Sequence, residues 1–310
     1  MNENGRAILH KDLNRESQKV YSTESKRRDL LMEVEKLLAP EECVQGVVAV
    51  GSVATGHAGP RSDIDAIIFM EPVDLYVVST ESIWCPWDGT FHSIFVEDTR
   101  IHQEGIQLDL KVRSLAKWQN ESFAWPDPEK AGLAQGWIAF DRDGAVHDLI
   151  ARRTTYDDGT RRRRLDQAVT DIDQALLKDE PGRIWRSLGA LRAFGRLATA
   201  LDALIEALFA YNRRWRFFRD REMEHLEQLP WLPDDFTRRL LAAIAAPRSN
   251  EGGFRLRANA IMELFSELLE KMSRNRPRCL RRPLLVVRLV VFTPNCQSSP
   301  VRIDRGTTSR

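Results

Sequence analysis

Every segment of this chain with the pattern of a β-strand lies ahead of residue 150, and nearly everything from Arg161 to Met272 has the pattern of a helix. Strands first and helices after predict an α+β fold, a small mixed β-sheet with flanking helices followed by an all-α helical bundle domain. Residues 13–38 carry an apolar stripe at Leu30, Leu31, Val34, Leu37 and Leu38, the period of a helix that Pro40 stops. Strands are expected at Val44–Val50, Asp63–Met70, Ile106–Arg113 and Trp137–Phe140, the last closed by a turn over Asp141–Gly144. Later, Ile184, Leu188, Leu191, Phe194, Leu197, Leu201, Leu204 and Leu208 step by threes and fours, which predicts a core-facing bundle helix.

With 310 residues, two domains are expected, 1–150 and 151–273. The last 37 residues stand apart. Residues 274–310 hold nine arginines against one acidic residue, a net of +8, so the first 273 carry −7 of the total +1. With four prolines and no helical period, this tail reads as a poorly ordered basic extension, and no function is placed there. A total of +1 argues against a protein built to neutralise a nucleic-acid backbone. Apolar runs such as Leu284–Val287 fall far short of the roughly 20 residues that span a bilayer, and the first residues lack a signal-peptide core. Four cysteines without CxxC spacing and six histidines without ligand spacing suggest neither a disulfide framework nor a zinc site. A cytoplasmic protein without membrane contact is expected.

The chemistry concentrates between Gly51 and Asp109. A buried strand runs straight into Gly51-Ser52, a Gly/Pro-containing loop leads to Arg61-Ser62, and Asp63-x-Asp65 opens the next strand. Residues i and i+2 of a strand project from one face, so two carboxylates stand side by side, an unfavourable pair unless a cation sits between them. Hard divalent ions with oxygen ligands, Mg²⁺ above all, suit such a pair. In the strand over Ile106–Arg113, Ile106, Leu108, Leu110 and Val112 share one face and leave Gln107, Asp109, Lys111 and Arg113 on the other, making Asp109 a third carboxylate candidate. Gly51 lets a phosphate approach the backbone and Ser52 offers a hydroxyl donor.

The stretch GSVATGHAGPRSDIDAIIF resembles the signature of the polymerase β-like nucleotidyltransferases, in particular the aminoglycoside and lincosamide nucleotidyltransferase branch and its uncharacterised bacterial relatives. The resemblance implies that Asp63, Asp65 and Asp109 hold Mg²⁺ and serve catalysis. It also implies that Gly51 and Ser52, with Arg61 and Ser62 beside the pair, contact the nucleotide. A nucleoside monophosphate, AMP from ATP in the first instance, would pass from an NTP to the hydroxyl of a small-molecule acceptor such as an aminoglycoside or lincosamide, and the helical half would receive that acceptor. Two other readings of the motif are an antitoxin of the minimal-nucleotidyltransferase type that modifies a protein or RNA partner, and a non-catalytic binding protein with this fold.

Each piece has a plainer reading. Gly51-Ser52 alone describes a strand-to-helix turn with Ser52 as its cap. Arg161–Arg164 reads as a solvated helix start. The aromatic and basic run from Tyr211 to Glu222 is equally a helix end with arginine stems laid over rings and a ligand-contacting segment.

Overall fold

The computed structural model describes residues 23–76, 81–85, 87–245 and 248–274. One compact unit comprises the described residues up to Ala168 together with Ile205–Leu232. The other comprises Val169–Leu204 and the described residues from Pro233 onward. The expected helix over residues 13–22 and the basic tail beyond Arg274 lie outside the described residues.

The first unit is built on a six-stranded mixed sheet. Its strands are β1 (Val44–Ala49), β2 (Ile64–Met70), β3 (Glu81–Cys85), β4 (Thr90–Ser93), β5 (Ile106–Ser114) and β6 (Trp137–Asp141), in spatial order β4-β3-β5-β2-β1-β6. Only β2 and β5 run parallel; the other neighbours are antiparallel. Helix α1 (residues 23–33, continued by a wider turn over Val34–Leu38) sets Leu30, Val34 and Leu38 against Ile64, Ala66, Ile68, Leu108 and Leu110. On the other face Ile67 and Phe69 pack with Trp118, Trp125 and Leu149 from helices α4 (Leu115–Gln119) and α6 (Ala145–Thr154) and the connection between them. Because β2 is covered on both faces, it reads as an almost unbroken apolar run rather than an alternating one. The expected turn after β6 is present: Asp141 accepts hydrogen bonds from the backbone N–H groups of Gly144, Val146 and His147, with Gly144 at φ 84°.

Two strands, β3 and β4, were not expected from the sequence. Their residues alternate poorly, and only Ile83, Trp84 and Cys85 combine apolar character with burial. Two further corrections concern the helices. The stripe from Ile184 to Leu208 is not one helix face. Gly189, at φ 73° and ψ 166°, breaks α8 (Pro181–Tyr211), so Leu188 and Leu191 are 38% and 87% exposed, while Ile184, Leu197, Leu204 and Leu208 are buried. Arg164 is no solvated helix start either: its guanidinium is forked onto the Asp127 carboxylate, bonds Glu206 at 2.6 Å, and lies 5.1 Å from the Trp215 ring centre. The rest of the stretch from Arg161 is mostly helical as expected, with residues 212–218 forming no helix.

The second unit is helical. Its α11 (Glu251–Arg274) buries Phe254, Ala258, Ile261, Leu264, Phe265 and Leu268, steps of three and four that define one face. Helix α10 (Phe236–Ile244) lies along it through Phe236, Leu240 and Ala243, and Arg239 of α10 bonds Glu267 of α11 at 2.5 Å. Phe254 meets Trp185 and Phe194 in a cluster of rings.

Helix α1 carries an unusual buried face. Thr23, Lys26, Asp29 and Glu33, spaced by threes and a four, are all under 10% exposed. One oxygen of Asp29 and one of Glu33 are buried without a hydrogen-bond partner, as are Ser82 Oγ and Trp84 Nε1. The Trp84 indole faces the Asp29 carboxyl without closing a hydrogen bond to the buried oxygen. Burial raises the Asp29 pKa and pushes that of Glu33 up from 4.5 to about 7. A neutral Glu33 suits its apolar surroundings and an ionised one does not.

Because the folded pKa of Glu33 lies above the unfolded value, the linked stabilisation is complete below pH 4.5 and is lost as pH rises through about 7. Glu33→Gln removes that loss. We expect the variant to be more stable than the parent at pH 8, by on the order of 3 kcal/mol, and to show a flatter stability profile between pH 4.5 and 7. Denaturant titrations across that range check it, and an unchanged profile excludes Glu33 as the titrating group.

Candidate active site

The site begins with strand register. In the parallel pair, Asp65 of β2 is the direct partner of Asp109 of β5, and Asp63 lies two residues before Asp65. Ligand oxygens of Asp63, Asp65 and Asp109 all fall within 4.8 Å of one another. Exposure falls along the strand, with Asp63 exposed, Asp65 half-buried, and Ile67 and Phe69 buried. The carboxylates therefore stand at the open end of a face whose continuation is core. Asp109 also accepts a hydrogen bond from Gln107 Nε2 at 2.9 Å, and on its other side Glu81 of β3 is its register partner.

Two unit charges 4 Å apart repel by about 4 kcal/mol at the effective dielectric near a protein surface. That repulsion registers at Asp65, whose pKa is raised by burial first and then by Asp63 and Asp109, against the opposing charges of Lys111 and Arg221. Lys26 of α1 lies near enough for its charge to be coupled to Asp63, although burial lowers its own pKa. A set of three carboxylates, all hard oxygen donors and one of them open to solvent, fits a divalent cation such as Mg²⁺. Lys26 had no sequence signal, sitting in a charged helix, whereas Arg221, 156 residues beyond Asp65, belongs to the aromatic and basic run from Tyr211 to Glu222 that the sequence reads equally as a helix end and a ligand-contacting segment.

Gly51 closes β1 against the aspartates. Val50 N–H bonds the Asp65 carbonyl at 2.9 Å, and Gly51 then turns at φ 64° to start the short helix α2 (Gly51–Thr55). A Cβ on Gly51 would lie 3.2 Å from Asp65 Oδ2, so both conformation and space call for glycine here. The cap position of α2 belongs to Val50, and not to Ser52 as the plain turn reading has it. Helix α1 clasps this turn: Arg27 donates from Nε to Val53 O at 3.2 Å and from Nη2 to Ala54 O at 2.8 Å, while Thr23 Oγ1 accepts from Ala58 N–H. Ser62 is engaged in a local turn, its hydroxyl accepting from Gly59 N–H at 2.9 Å. Arg61 is exposed and makes no hydrogen bond or ion pair with the described residues.

A second trio, Cys85, Asp88 and His92, converges on the β3–β4 hairpin, although sequence spacing suggested no such grouping. Thr90 Oγ1 ties Asp88 Oδ1 at 2.6 Å and His92 Nε2 at 2.8 Å, and burial raises the Cys85 thiol pKa, which suits a turn held together by its own hydrogen bonds.

Residues 28–121 match the family model for a nucleotidyltransferase domain, a span that contains Gly51, Ser52, Arg61, Ser62 and all three aspartates. The match is to the domain at large and does not reach the aminoglycoside or lincosamide branch. Among solved structures the chain is similar to a nucleotidyltransferase-like protein from Exiguobacterium sibiricum 255-15, at 14% identity over 80% of this chain and 81% of that one, with a TM-score of 0.39. No curated protein matches the chain. Among the described residues, no helix is long and apolar enough to cross a membrane.

Gly51→Ala forces an L side chain into a left-handed conformation and crowds Asp65. We expect a loss of about 1–2 kcal/mol of stability together with weaker Mn²⁺ binding, measured by thermal melts and by calorimetric titration. A variant that melts and binds metal like the parent shows that the turn tolerates a Cβ.

Proposed function

We propose that this chain transfers a nucleoside monophosphate, AMP from ATP, to an acceptor hydroxyl. The bond from the acceptor oxygen to the α-phosphorus forms as the bond from the α-phosphorus to the pyrophosphate oxygen breaks; pyrophosphate leaves and the hydroxyl proton is released. One observation carries this reading: three carboxylates whose ligand oxygens lie within 4.8 Å of one another, two of them paired by a parallel strand register, beside a glycine turn where a Cβ would lie 3.2 Å from Asp65 Oδ2. The matched nucleotidyltransferase domain supports it.

Mg²⁺ held by Asp63, Asp65 and Asp109 would lower the pKa of the attacking hydroxyl and neutralise charge on the departing pyrophosphate. The chain's own part is positioning and charge. Gly51 keeps the backbone bare where phosphate oxygens approach, and the Ser52 hydroxyl beside it is a donor. Arg61, exposed and unpaired among the described residues, is free to meet a phosphate, with Ser62 fixing the loop that carries it. Lys111 and Arg221 add positive charge on the Asp65 side. Incubation with Mg²⁺, α-labelled NTPs and a panel of hydroxyl-bearing acceptors, aminoglycosides and lincosamides among them, followed by mass analysis, tests the activity directly.

Asp65→Asn keeps side-chain shape and removes one charge from a crowded cluster. Transfer should fall by at least about a hundredfold, whereas the metal-free protein should melt at or above the parent temperature, because repulsion is relieved. If transfer persists undiminished, the metal-site reading of the triad is wrong. If instead metal-free stability drops by several kcal/mol, Asp65 is a structural carboxylate.

A further inference from the structure

The first unit contains a cavity apart from the carboxylate cluster. A cavity of about 410 Å³ is bounded by the end of α5 (Asp127–Ala134), the residues after α6, and the segment from Phe209 to Leu229. That volume lies within the roughly 300–1,000 Å³ of small-molecule sites. Its walls are aromatic. Trp215 packs on Tyr156 with ring centres 4.4 Å apart, and Phe217 stacks on His225 at 3.8 Å with 31° between the planes. Trp215 is fixed by its own indole N–H, which donates to Thr154 O at 2.6 Å.

Of the polar groups around these rings, Arg213 is paired with Asp158, and three others have no side-chain partner among the described residues. Arg214, exposed, makes no side-chain hydrogen bond or ion pair with the described residues, and neither do the amides of Gln135 and Gln228. No lining residue is acidic. The carboxylates nearby are already matched, Asp127 and Glu206 by Arg164, Glu222 by Arg216. Lys130 Nζ sits 4.0 Å from the Trp215 ring centre, adding a further positive charge. Flat rings accept a flat partner, side-chain amides match the edge of a heterocycle, and an unpaired guanidinium favours an anion. A polycation finds no carboxylate here and meets like charge.

Resting on the transfer reading above, we propose that this cavity receives the acceptor, and that the acceptor is nucleoside-like: a flat heteroaromatic ring bearing hydroxyls, neutral or anionic, and not a polycationic aminoglycoside. The segment that lines the cavity also carries Arg221, whose charge reaches Asp65, so cavity and carboxylates are served by one stretch of chain. In the reaction, a ribose hydroxyl of the acceptor attacks the α-phosphorus of ATP. The new oxygen–phosphorus bond replaces the one to pyrophosphate, the hydroxyl proton passes to solvent, and a dinucleotide results.

Calorimetric titration of the full chain with AMP and with adenosine, in EDTA so that metal holds no phosphate, tests the site. Both should bind saturably. Arg214→Gln should weaken AMP about tenfold and leave adenosine unchanged, and Phe217→Leu should weaken both. Arg214 is exposed and unpartnered, so its variant decides the matter even if Phe217→Leu fails to fold. Absence of saturable binding of either probe, affinities untouched by Arg214→Gln, or kanamycin binding that Phe217→Leu weakens each overturn the assignment. Adding Mg²⁺ and α-labelled ATP then separates the two readings. Labelled dinucleotide made by the parent and lost in Phe217→Leu supports the acceptor role. Adenosine bound but unlabelled, while another acceptor is labelled, overturns that role alone. Absence of transfer to any acceptor overturns the nucleotidyl-transfer reading, while AMP binding in EDTA that persists in Asp65→Asn still supports a ligand site in the cavity.

Discussion

The parallel pairing of β2 with β5 forces Asp65 and Asp109 into the same row of the sheet, and the site depends on that one register. A slip of one residue would turn Asp65 into the core and bring Ile64 or Ala66 out beside the solvent. What prevents the slip is the apolar character of β2, whose Ile64, Ala66 and Ile68 are fully buried against α1 while Ile67 and Phe69 are buried against the other layer. The fold thus uses hydrophobic burial on two faces to hold together three carboxylates that repel one another. If this cluster holds the cations proposed for it, a framework fixed in this way would need little rearrangement to receive them.

The parts of this arrangement that rest on local pattern were legible in the sequence. The apolar run of β2 headed by Asp63-x-Asp65, the alternation that isolates Asp109, and the glycine at the end of β1 each follow from strand geometry and backbone sterics. The parts that rest on tertiary neighbours were not. Strands β3 and β4 are short, β3 buried at all but its first residue and β4 only partly buried, so neither shows an alternating period. The leucine stripe around Gly189 has the spacing of a helix face, yet a glycine at positive φ resets the direction of the chain, and spacing alone cannot register that. Arg164 looked solvated because its partners, Asp127 and Glu206, are about 40 residues away on either side.

Helix α1 shows the same limit from another angle. Its sequence stripe of Leu30, Val34 and Leu38 is indeed buried, but Leu37 is exposed and the buried face is completed by Thr23, Lys26, Asp29 and Glu33. Burying charged side chains is costly unless they are paired or neutralised. Here the raised pKa of Asp29 and Glu33 and the lowered pKa of Lys26 all point toward neutral forms. The helix that clasps the Gly51 turn through Arg27 and Thr23 is therefore anchored partly by polar groups, whose fixed positions matter more than any stability they add.

The first unit holds two regions of opposite electrostatic character, a carboxylate cluster and an aromatic cavity. The carboxylate cluster repels anions, so the triphosphate of the proposed reaction would settle there only with cations in place. The aromatic cavity has no acidic lining residue and an unpaired arginine at its edge, so a ring with a neutral or anionic substituent can settle there without metal. The segment from Arg213 to Leu229 serves both, lining the cavity with Trp215, Phe217 and His225 and sending the charge of Arg221 to Asp65. A ligand in the proposed acceptor cavity would therefore rest on the same short stretch of backbone that carries the charge felt by Asp65.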